Sequence, residues 1–87
     1  MTDIAAETGQ HLAAHGWMLV TAESCTGGWT GQAITAIPGS SAWYERGFIT
    51  YSNASKHEML GVQQSTLDQF GAVSPQTATE MAAGALN

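Results

Sequence analysis

Apolar residues recur along this chain at two different periods, and each change of period marks the edge of an element. Asp3 to His15 carries Ile4, Thr8 and Leu12 on one helical stripe, with Gly16 as the stop, which predicts a helix. Trp17 to Thr21 is a continuous apolar run ending in a β-branched residue, the pattern of a buried strand. After the turn Ala22 to Gly28, Trp29, Ala33, Ile34 and Ile37 share a helical face, and Pro38-Gly39 ends that helix. Ser40 to Arg46 reads as a loop, and Gly47 to Tyr51 as a second strand. Asn53 is placed to cap a short helix that runs through Leu60 and closes at Gly61. Ser65-Thr66-Leu67-Asp68 has the form of a capping box and predicts another short helix ending at Gly71. Ser74-Pro75 sets a cap and a first-turn proline before a last helix with Ala78, Met81, Ala82 and Ala85 on one stripe.

Strand, helix, strand in that order predicts a right-handed crossover and a parallel pair, which puts the chain in the α/β class as one domain over residues 1–87. A parallel sheet needs both faces covered, and two strands alone rarely stand in water. The last helix reaches Leu86-Asn87 without a stop signal or a return strand. The expectation is therefore a fragment, or a fold whose further strands come from another chain.

Charge and composition narrow the classes. The net charge is −5, from two cations against seven carboxylates, so no basic patch exists to hold nucleic acid or an anionic membrane. An anionic ligand must be held by local donors instead. With 44% hydrophobic and 10% charged residues the balance is that of a globular domain. The lone Cys25 rules out an intrachain disulfide. Met1 to Val20 lacks the basic-then-apolar order of a secretion signal, and no apolar stretch approaches the length of a membrane span. A cytoplasmic soluble domain is the expectation, and it makes the Asn53-Ala54-Ser55 sequon a chance match. His11 and His15 stand one helical turn apart, but without an adjacent Glu or an obvious third ligand they read as a solvated face, and no metal is expected.

Two turns carry the chemistry. Glu23-Ser24-Cys25-Thr26-Gly27-Gly28 lies where a strand feeds a helix, and the start of a helix presents unpaired N–H groups. Small residues let a phosphate or a carbonyl approach that backbone, and the hydroxyls of Ser24 and Thr26 add donors. The same turn could form an oxyanion hole. The plainer alternative is that a hydroxyl caps the helix and the glycines allow close packing. Cys25 reads as a small buried apolar residue rather than a nucleophile, because no suitable His stands near it in sequence. The second turn is Tyr51-Ser52-Asn53-x-x-Lys56. The carboxyl ends of parallel strands share one edge, so Tyr51 and Lys56 should converge on Ser24, where a desolvated lysine can serve a serine as base. A solvated Lys56 and a strand-ending Tyr51 are the plainer alternative, weakened by Lys56 being the only lysine.

Together, Thr21-Ala22-Glu23-Ser24-Cys25-Thr26-Gly27-Gly28, Pro38-Gly39-Ser40-Ser41, Thr50-Tyr51-Ser52-Asn53-x-x-Lys56, Leu60-Gly61-Val62 and Gly71-Ala72-Val73-Ser74 resemble the successive signatures of the CinA C-terminal family. The resemblance covers residues 20–85 and only the front half of the family domain. It implies a three-layer α/β/α sandwich, here partial, that is dimeric and needs no metal or cofactor. It also implies an amidohydrolase that converts nicotinamide mononucleotide to nicotinate mononucleotide and ammonia. Carried over, Ser24 is the nucleophile, Lys56 the general base and Tyr51 a hydroxyl assisting proton transfer. Glu23, Thr26, Gly27, Gly28 and Asn53 line the substrate site. The family's later glycine-rich loop, further strands and phosphate-facing arginine have no counterpart in these residues. Two other classes stand beside this one: a non-catalytic nucleotide-binding module built on the Ser24–Gly28 turn, and an interaction domain using Trp29, Trp43, Tyr44 and Phe48. Core packing or a dimer contact is the simpler account of those aromatics.

Overall fold

The strand β1, Leu19–Glu23, lies parallel to β2, Tyr44–Ile49, and together they form a two-stranded sheet in this computed structural model, which describes residues 2–87. Leu19 pairs with Tyr44 and Glu23 with Ile49, and the register slips by one residue between Leu19 and Val20. Both strands lie off their sequence-predicted spans. β1 starts two residues after Trp17, because Trp17 is exposed and stacks on His15 at 4.7 Å rather than entering the sheet. β2 begins at Tyr44, inside the expected loop, because Leu19 N donates to Trp43 O at 2.7 Å and opens the ladder early.

Helices cover both faces, giving three layers. On one side lie α1, Thr2–His15, and α2, Trp29–Thr35, which pack together. On the other lie α3, Asn53–Leu60, α4, Gln64–Phe70, and α5, Pro75–Leu86. Residues alternate between the faces of a strand. Val20 and Ala22 of β1, with Phe48 of β2, therefore pack on the core made by Leu60, Val62, Leu67, Met81 and Ala85. Burying each of the large members stabilises by roughly 1.5–3 kcal/mol. Thr21 and Glu23 are turned the other way, Thr21 to the Tyr44 hydroxyl and Glu23 to α2.

The inward stripe of α1 is Ala5, Gly9 and Leu12 rather than Ile4, Thr8 and Leu12, and Ile4 is exposed. The reason is Trp43, buried under α1: a Cβ at Gly9 would run into its indole ring. Size, not hydrophobicity, chose that face. Trp43 thus packs inside, whereas Trp29 of α2 is exposed, and of the predicted α2 face only Ile34 is buried.

The caps show two departures. Ser52, not Asn53, caps α3, because its hydroxyl accepts from Ser55 N at 3.0 Å while Asn53 is already helical. The expected capping box at Ser65 lies inside α4, which begins at Gln64. The start of α4 is tied instead to Glu80 of α5, which accepts from Gln63 N at 2.9 Å and from the Thr66 hydroxyl at 2.5 Å. Ser74 caps α5 as expected, accepting from Thr77 N with Pro75 in the first turn. Every buried polar side-chain atom among the described residues has a partner.

Candidate active site

Both carboxyl ends of the strands leave the same edge of the sheet, and the backbone ties them together. Thr50 N, one residue past β2, donates to Glu23 O at 2.8 Å. Ser24 follows Glu23 directly, so the two turns start side by side. Thr50 is wholly buried, and its carbonyl accepts from Lys56 Nζ at 2.7 Å, while Tyr51 O accepts from the same nitrogen at 3.2 Å. Lys56 is fully buried, and no carboxylate pairs with it among the described residues. The first turn of α3 brings the lysine back over the strand end. Its stem is buried there and its amine is fixed on two carbonyls.

Tyr51 takes part through its backbone. Its carbonyl holds Lys56, but its side chain is 78% exposed and its phenol has no hydrogen-bond partner among the described residues. Asn53 is likewise exposed. Ser24 is half-buried and lines an open groove of about 690 Å³ between β1 and α5, with Val20, Ala22, Ala78 and Met81 along its walls. That volume lies in the range of small-molecule sites. Cys25, expected inside the protein, is exposed and lines the same groove, because the turn carries it outward past Ser24. Lys56, Tyr51 and Asn53 do not line this groove.

Glu23 is turned away from it. Its carboxylate is buried at the start of α2, where Oε1 accepts from the Thr26 hydroxyl at 2.7 Å and Thr30 N at 2.9 Å. Oε2 accepts from Gly31 N at 3.0 Å. Burial pushes this carboxyl up, but the hydrogen bonds from Thr26, Gly31 and Thr30 outweigh it and hold the group below the ordinary carboxylate value. Gly27 and Gly28 both have positive φ, 61° and 102°, which lets the turn close over Ile49, 2.9 Å from where a Gly28 Cβ would stand. Thr26 therefore spends its hydroxyl on Glu23.

The pattern of chemical residue types hid three participants. Thr50, the buried carbonyl that carries Lys56, reads in sequence as one more β-branched strand residue. The amides of Thr30 and Gly31 leave no trace in residue type at all. No group of three or more His, Cys, Asp or Glu is placed to hold a metal ion among the described residues. His15 Nδ1 donates instead to the His11 carbonyl at 2.8 Å. No described helix is long and apolar enough to cross a membrane.

Comparison with known proteins gives these turns a family. The chain is 59% identical over 85 residues to the nicotinamide-nucleotide amidohydrolase PncC of Enterobacter agglomerans, covering 98% of this chain and 52% of that protein. It is 55% identical over 86 residues to the protein of the same name from Escherichia coli strain K12, again covering 52% of the relative. The solved structure of the competence/damage inducible protein CihA from Agrobacterium tumefaciens superposes with a TM-score of 0.94 at 52% identity, over 98% of this chain and 52% of that one. The chain thus spans about half the length of the relatives it matches. The model of the CinA C-terminal domain matches residues 1–87, and the chain belongs to that family.

Proposed function

We propose that this chain is the N-terminal half of a nicotinamide-nucleotide amidohydrolase domain, which hydrolyses the carboxamide of nicotinamide mononucleotide to a carboxylate and ammonia. The observation that carries the reading is the buried amine of Lys56, held on Thr50 O and Tyr51 O beside the turn that carries Ser24. A lysine wholly out of water at a strand's carboxyl end, one backbone hydrogen bond from the residue that precedes Ser24, is arranged for chemistry rather than for solubility. The names of the similar proteins supply the substrate class.

In the proposed reaction the Ser24 hydroxyl attacks the amide carbon and its proton passes toward Lys56. The C–N bond breaks, the nitrogen leaves as ammonia after taking up a proton, and water then cleaves the acyl ester to give nicotinate mononucleotide and free Ser24. Backbone N–H groups of the Thr26–Gly28 segment face the developing oxyanion. The Tyr51 phenol and Asn53 close the site from its exposed side, and the exposure of Tyr51 leaves its ring free to turn onto a bound ligand. The active form is a cytoplasmic homodimer in pyridine-nucleotide recycling, with no metal, cofactor or nucleic acid.

The alternative is a nucleotide-binding module without turnover that uses the Ser24–Gly28 turn as an anion cradle. The Glu23 carboxylate already takes the Thr26 hydroxyl of that turn and the Thr30 and Gly31 amides beyond it, which leaves fewer donors for a phosphate and favours the hydrolase reading. The test is ammonia release with nicotinamide mononucleotide as substrate. Turnover is expected from the full-length protein that contains this half, with a fall of about 10³-fold or more in Ser24→Ala. Mononucleotide binding by calorimetry with no product from the unaltered protein would favour the binding module instead.

A further inference from the structure

We propose that Glu23 is a positioning residue: its carboxylate plugs the start of α2, fixes the Ser24 turn from within, and leaves the substrate's phosphate to be bound elsewhere. The idea deepens the hydrolase reading and its kinetic arm rests on that reading. Its structural arm does not.

Three donors from two elements converge on this one carboxylate, and Glu23 is only 7% exposed. Two of them, Thr30 N and Gly31 N, belong to the first turn of α2, whose amides have no partner inside the helix. These are the groups that an outside anion would use, and both are taken. The fit is close: a Cβ on Gly31 would stand 3.4 Å from Glu23 Oε2 and 3.3 Å from the Tyr44 hydroxyl. A phosphate arriving here would have to expel a buried carboxylate of its own sign.

The same residue works through its main chain. Glu23 O accepts from Thr50 N, and Thr50 O carries Lys56. Its side chain thus anchors the end of β1 to α2, and its carbonyl anchors it to the lysine's strand. Ser24 comes next in the chain, set from both sides. The rest of the turn holds little stiffness of its own, since Gly27 and Gly28 each lie at positive φ.

The first arm follows backbone amide resonances during titration with inorganic phosphate and then with nicotinamide mononucleotide. In the unaltered protein the Thr30 and Gly31 amides stay unmoved by phosphate, and in Glu23→Ala they respond to phosphate and to formate alike. Phosphate-dependent shifts at those two amides in the unaltered protein would overturn the proposal, and this arm requires no turnover. The second arm is kinetic. Glu23→Ala lowers kcat by about 100-fold, the effect of a catalytic group misplaced by about an ångström, with KM near its original value, and formate restores part of the rate. A raised KM at unchanged kcat would mean that the carboxylate touches substrate, and an unchanged kcat that it does nothing for the turn; either overturns the proposal. Should Glu23→Ala fail to fold, Glu23→Gln keeps the shape but sets an NH₂ against the same donors, and the same fall in kcat at unchanged KM is required of it. Absence of ammonia release from the full-length protein would defeat the hydrolase reading and leave the amide arm to decide the plug.

Discussion

Lys56 and Ser24 differ in what holds them, and that difference predicts how each responds to mutation. Lys56 serves a buried carbonyl at Thr50 and a part-buried one at Tyr51, so Lys56→Met strands both without a donor. The expected loss is about 2 kcal/mol of folding stability, read from the urea midpoint, together with loss of turnover. The Ser24 hydroxyl has no hydrogen-bond partner among the described residues and only half-buried surroundings. Ser24→Ala is therefore expected to leave the urea midpoint within about 0.5 kcal/mol while removing turnover. A large stability loss in Ser24→Ala would mean that the serine is a structural cap. At this scale the sequence was informative about residue types and silent about their orientation. Spacing placed Ser24 and Lys56 at one sheet edge, but nothing in Glu23 or Tyr51 said that one carboxylate would turn inward and one phenol outward. Those choices depend on which donors α2 leaves unpaired, a property of the backbone.

Between elements, small residues set how closely helices approach. Gly84 lies inside α5 where that helix crosses the end of α3, and an added Cβ would collide with the Leu60 carbonyl. In an isolated helix, Gly→Ala stabilises by about 1 kcal/mol. Here the backbone contact reverses the sign, and Gly84→Ala is expected to cost about 1–3 kcal/mol by thermal or urea unfolding. A stabilised Gly84→Ala protein would show that α3 and α5 are farther apart than described. The same logic explains the α1 stripe: hydrophobic period selected Ile4, Thr8 and Leu12, whereas Gly9 had to face Trp43 because only hydrogen fits there. Periodicity reports which residues prefer burial and cannot report the size of what they meet. Local capping chemistry was readable where it was local, as at Ser74-Pro75 and Gly61. It failed at α4, whose cap arrives from Glu80 across the fold.

For the molecule as a whole, two carboxylates serve as remote helix caps, Glu23 for α2 and Glu80 for α4, and their titration links stability to pH. Both are held below the ordinary value of 4.5. For Glu80 the Gln63 amide is the largest cause and the Thr66 hydroxyl the next. A depressed folded-state value contributes stability that is present above the unfolded value and is lost as pH falls through the folded one. Unfolding midpoints should therefore be flat near neutrality and fall as pH drops below about 4.5, with Glu23→Gln and Glu80→Gln each flattening that acid limb. An acid limb unaltered in the double variant would contradict the capping account. The α/β class and the parallel pair were legible from the order of elements alone, because a strand–helix–strand run with short connections has few other solutions. The three layers follow from the alternation along β1, which sends Val20 and Ala22 to one side and Thr21 and Glu23 to the other.

All of this converges on one atom, the Ser24 oxygen, with the exposed thiol of Cys25 as its immediate rival in the groove. The most direct measurement is mass spectrometry of protein quenched in acid during turnover of nicotinamide mononucleotide, with fragmentation to locate any adduct. An acyl ester of nicotinate mononucleotide on Ser24, absent from Ser24→Ala and retained in Cys25→Ala, is the predicted result. An adduct on Cys25, or full turnover by Ser24→Ala, would contradict it.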